Sequence, residues 1–114
     1  MTPAEELSAA ITVLRGAVHD ASDGPWAADD PNRRWGDDCD HRLVGGGKIL
    51  ATFSNDHNGP LNAMFAALMH PGVGEAIAKW LGTWVGIDLR EDAALPEDAQ
   101  HALAIARLIN KAAT

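Results

Sequence analysis

The residues best equipped for chemistry lie between Asp20 and His41. Asp37, Asp38, Asp40 and His41 flank Cys39, which sets hard oxygen donors beside an imidazole and a thiol, the donor types that hold divalent cations. Their spacing matches neither an EF-hand nor a zinc site, so the pattern reads as a solvated acidic turn and no metal or other cofactor is assigned. Paired-carboxylate hydrolysis has material in Asp20, Asp23, Asp29, Asp30, Asp37, Asp38 and Asp40. Turn signals interrupt that cluster, whereas a catalytic pair is set in a cleft with apolar walls that drive the two pKa values apart. Cys39 sits among acids that raise a thiol pKa, and Ser8, Ser22 and Ser54 lack an elbow motif. Gly45-Gly46-Gly47-Lys48 lacks the spacing and the hydroxyl of a phosphate loop and precedes a strand pattern, so it reads as a tight turn. Asp56 and His57 can join Asp40 only through the fold, beside a pocket between that turn's hairpin and the next helix. His70, before Pro71, reads as a helix-junction residue, and His19 and His101 sit near helix ends. No catalytic residue is assigned.

Binding is the better reading of the same stretch. Seven aspartates between Asp20 and Asp40 face only Arg33 and Arg34, so this region carries most of a net charge of -7. Clustered negative charge steers towards basic surfaces, and Trp and Arg are enriched at binding hot spots. The candidate partner-binding residues are therefore Asp29, Asp30, Arg33, Arg34, Trp35, Asp37 and Asp38. A pI near 5.0 argues against direct nucleic-acid binding, which needs a basic stripe to displace phosphate counterions. Nucleic-acid-binding proteins are instead a natural partner class, with DNA mimicry as one version.

The length of 114 residues fits one domain spanning 1–114 with one core. A single cysteine excludes an internal disulfide framework and fits a reducing cytosol. The N-terminus lacks the basic start and apolar run of a signal peptide, and no stretch is apolar for the length of a membrane span, so the expected location is cytoplasmic, without a membrane partner.

The elements that must position these residues are legible in part. Thr2, Pro3 and Glu5 form a capping-box start, and Leu7, Ile11, Leu14 and Val18 form one stripe, predicting a helix over 3–20. Trp26 and Trp35 are expected to be mostly buried anchors of the polar stretch that follows. Residues 41–53 read as a β hairpin turning at the triple glycine, with Leu43, Ile49, Ala51 and Phe53 on the buried face and a third strand around Trp26. Asn58 is the expected N-cap of a second helix whose inner face is Leu61, Met64, Phe65 and Leu68. Val73, Ile77, Trp80, Leu81 and Trp84 mark a third helix after Pro71. A last helix begins at Pro96 with the stripe Ala99, Ala102, Leu103, Ala106 and Ile109. The fold class is α+β: an N-terminal helix, a small antiparallel hairpin or sheet, and three C-terminal helices packed on it.

The leading helix, Gly24-Pro25-Trp26, a hairpin ending Ile49-Leu50-Ala51-Thr52, NAMFAALMHPGVGEAIAKWL and the closing HALAIARLIN together resemble a set of small proteins of unknown function from actinobacteriophages and actinobacterial prophages. HPGVGEAIAKWL is the most specific part. The resemblance implies a phage accessory protein acting in the cytoplasm of a bacterial host, and it transfers no catalytic residue. The expectation is a non-enzymatic protein that binds a host or phage protein through its acidic stretch. The alternatives are a structural homodimer, meeting through the Ala-rich last helix or the Trp80 and Trp84 face, and a small metal-dependent enzyme or ligand binder.

Overall fold

Helix α1 (Pro3–Asp20) starts where the local sequence places it. Glu5 N donates to Thr2 Oγ1 at 3.1 Å and Thr2 N donates to Glu5 Oε1 at 3.3 Å, closing the capping box in both directions. Hydrogen bonding of its carboxylate by Thr2, from the side chain first and the backbone N–H second, holds the Glu5 carboxyl below the usual glutamate range. The computed structural model describes residues 1–29, 41–54, 56–90 and 94–114. After α1 come strands β1 (Trp26–Asp29), β2 (His41–Gly45) and β3 (Lys48–Phe53), then helices α2 (Gly59–Leu68), α3 (Pro71–Val85) and α4 (Glu97–Ala112). This is the expected α+β class, and the third strand forms at Trp26 as expected.

The chain divides into two compact units, Met1–Asp20 with Gly74–Thr114, and Ala21–Val73. In the first, Leu7, Ala10, Leu81, Ala102, Leu103 and Ala106 are buried together, and Ile11, Leu14, Ile77, Trp84, Val85 and Ile109 pack around them. The α4 stripe was readable because alanines at helical spacing let α1 and α4 approach closely. A polar clamp fixes the pair. Arg107 Nε donates to Glu6 Oε2 at 2.6 Å, and Asn110 Nδ2 donates to the Glu6 carbonyl at 3.0 Å. Trp80 stays at the surface of α3, unlike its stripe partner Leu81, which is fully buried.

The second unit is an antiparallel sheet in the order β1-β2-β3, covered by α2. Gly46 and Gly47 both take positive φ, 58° and 77°, as the two central residues of a type I′ hairpin turn must. His41, Leu43 and Gly45 alternate into the interior. The hairpin is not regular: Leu43 pairs with Ala51 and Val44 with Ile49, leaving Leu50 as an extra residue on β3. A bulge of this kind changes the phase of a strand. It corrects the expected buried face: Ile49 is exposed, and Leu50 is the residue that approaches Gly45 from β3.

Helix α2 carries the larger correction. Leu61, Met64, Phe65 and Leu68, expected on the inner face, are all exposed, and the buried positions are Gly59 and Ala63. The reason is the closeness of the approach. A Cβ on Gly59 would fall on the Ser54 carbonyl, so only small side chains fit between this helix and the strand end beneath it. Among the described residues no helix is long and apolar enough to cross a membrane.

Candidate functional site

Strands β1 and β2 place the two ends of the acidic stretch. Asp29 and Arg42 are register partners, and Arg42 Nη2 donates to Asp29 Oδ2 at 2.7 Å, with each side chain about one-third exposed. Antiparallel pairing therefore brings the chain out at Asp29 and back at His41 at the same end of the sheet. Asp30, Arg33, Arg34, Trp35, Asp37, Asp38, Cys39 and Asp40 lie outside the described residues. Of the predicted partner-binding residues, Asp29 is thus the one whose surroundings are defined, and it is engaged with Arg42. Arg42 Nε is buried and has no partner among the described residues, so Asp29 is the counter-charge that Arg42 has within them.

Asp56 has a definite structural task. Its Oδ1 accepts from Asn58 N at 3.0 Å and from Gly59 N at 2.9 Å, and its Oδ2 accepts from Ser54 Oγ at 2.9 Å. These donors, Ser54 first, hold the carboxyl below the ordinary aspartate range. Asn58 occupies the N-cap position as expected, but its side chain makes no capping bond; Asp56 accepts from the free N–H groups in its place. An Asp three residues before the Gly59-Pro60 helix start was the signal available for this. His70 likewise serves a helix start: Gly72 N donates to His70 Nδ1 at 3.1 Å, which agrees with its reading as a junction residue.

The groove that does lie beside α2 uses other residues. Pro25, Trp26, Ala28, Met64, Ala67, Leu68 and His70 line a space of about 400 Å³ between β1 and α2. Neither Asp56 nor His57 is among them. Trp26 is mostly buried, as expected, with its Nε1 donating to the Ser22 carbonyl at 3.1 Å and its ring against Gly45. Apolar walls with one imidazole suit an apolar side chain better than a polar substrate, which needs several convergent polar groups. Among the described residues no three His, Cys, Asp or Glu side chains are grouped to hold a metal ion. The glycine-rich Gly45–Lys48 run is the hairpin turn, without a helix N-terminus to receive a phosphate.

Fold and site together define a small α+β protein with an acidic stretch tethered to one sheet end and an apolar helix face beside a groove. No protein-family model, curated protein or solved structure matches the chain.

Proposed function

We propose that this is a phage accessory protein of the bacterial cytoplasm that works by binding, not catalysis, and that its partner is a host or phage protein with a basic surface. One observation carries the reading. Asp29, Asp30, Asp37, Asp38 and Asp40 outnumber Arg33 and Arg34 in a stretch whose two attachment points, Asp29 and His41, are held at one end of the sheet by the β1–β2 register and the Asp29–Arg42 pair. Tethering both ends concentrates the charge locally, and concentrated charge speeds encounter with an oppositely charged surface. Trp35, flanked by Arg33 and Arg34, supplies an aromatic anchor within the same stretch.

The test is capture of partners from an actinobacterial lysate by the tagged native chain beside a variant with Asp30, Asp37 and Asp38 changed to Asn, with bound proteins identified by mass spectrometry. Asp29 is left in place because its loss would strand Arg42. The expected result is a basic protein retained by the native chain and lost by the variant. A partner held equally by both chains removes the acidic stretch from the interface and overturns the proposal.

A further inference from the structure

Helix α2 turns its small residues inward, which leaves Leu61, Met64, Phe65 and Leu68 exposed at 54, 55, 68 and 68%, with Met69 beside them at 48%. Their positions follow i, i+3, i+4 and i+7, so the four form one row along the helix. The helix GPLNAMFAAL carries no charged side chain. The groove lined by Pro25, Trp26 and Ala28 borders this row at Met64 and Leu68.

We propose that this row is a homodimer interface, in which the α2 helices of two copies pack antiparallel about a two-fold axis and each Phe65 enters the groove of the other copy. Charge and area both favour a second copy as the occupant. Each chain carries -7, so two copies repel over an acidic surface, and an uncharged face lets them meet without placing like charges together or stripping water from an ion. A strongly charged partner of either sign would find no counter-charge on α2. The row exposes on the order of 500 Å² of apolar surface per copy, near the upper end for the largest patch of a monomer. Two such faces bury about 1,000 Å², the lower limit for a specific interface, which fits a weak, reversible dimer. A row repeated at helical spacing is also complementary to itself when reversed by a two-fold axis. This inference uses no residue of the acidic stretch, so it stands or falls apart from the proposed function.

Sedimentation equilibrium of the full chain tests it, at loadings from about 1 to 200 µM. The expected mass rises from 12.1 kDa towards twice that value with concentration. Phe65→Asp and Leu68→Asp alter exposed side chains and should each weaken association by more than about tenfold while the circular dichroism spectrum stays native. Leu108→Asp, at an equally exposed leucine on α4, should leave association unchanged. Added salt should strengthen the dimer by screening the repulsion between two acidic chains. A mass of 12.1 kDa at every loading overturns the proposal, as does a dimer that survives Phe65→Asp or is lost equally in Leu108→Asp. A strict monomer that unfolds on Phe65→Asp also overturns it, and assigns the face to a segment of the same chain.

Discussion

Asp56 shows how much one exposed carboxylate organises. Its three accepted hydrogen bonds join Ser54 at the end of β3 to the first residues of α2. Because these bonds lower its pKa in the folded chain, its contribution to stability is complete above the unfolded-state pKa and disappears as pH falls through the lower folded value. Asp56→Ala should therefore melt below the native chain at neutral pH, with the gap closing in acid. Asp56→Asn keeps an acceptor at the helix start and should melt closer to native, but without that pH dependence; thermal circular dichroism across the acid range reads both. Glu5 is lowered in the same direction by Thr2, so its contribution is lost over acid pH in the same sense. The Glu6–Arg107 pair joins residues 101 positions apart, and Glu6 is only 15% exposed while Arg107 is half-exposed. Arg107→Ala should cost about 1 kcal/mol in urea unfolding, the scale of a partly screened charge-assisted bond. The Thr2–Glu5 box was legible because both partners lie within one turn of sequence. The Glu6–Arg107 clamp was not, since nothing local pairs residues from the two ends of the chain.

At the scale of elements, helix α2 has the apolar spacing of a buried face and yet exposes that face. Spacing establishes which residues share a side of a helix but not which side meets a neighbour. Two sides compete in α2, one of large residues and one of small, and the close contact of Gly59 with Ser54 decides for the small one. Ala63→Leu should then destabilise by about 1–3 kcal/mol through overpacking, whereas Leu68→Gln should change stability by no more than about 0.5 kcal/mol. Chemical denaturation of the two variants checks the order, which is the reverse of what the amphipathic pattern predicts. Strand β3 repeats the lesson. The Gly46-Gly47 turn was legible from composition, but the extra residue Leu50 that turns Ile49 outward depends on the pairing with β2. In α4 spacing and burial agree, because Ala99, Ala102, Leu103 and Ala106 share one row at helical spacing and are its buried residues.

For the molecule as a whole, the distribution of charge separates two kinds of surface. The chain is acidic overall, with Asp29 tied to Arg42 and the remaining predicted partner-binding aspartates in the stretch that begins beside it. Helix α2 is uncharged. The two proposed associations should therefore respond to salt with opposite signs. Capture of a basic partner should weaken as sodium chloride is raised, because screening removes the attraction, while self-association through α2 should strengthen. Binding assays and sedimentation over one salt series measure both, and a common sign would show that one surface serves both or that one assignment is wrong. The Ala stripe of α4, a candidate dimer face on sequence grounds, is fully buried within its own unit. A dimer through it would require α1 to leave.

What the sequence determined by itself is what short-range physics controls: the α+β class, the bounds of α1, the capping box, the turn at Gly46-Gly47, the stop and start around Pro71 and the inward stripe of α4. Propensity, capping and periodicity act over a few residues, so they can be read along the chain. Tertiary structure alone decided which side of α2 faces the sheet, the phase of β3, and the pairing of Asp29 with Arg42. Each of these depends on the distance between backbones brought together from remote positions, and a gap of one methyl group is enough to choose between a face that is buried and a face left open to a partner.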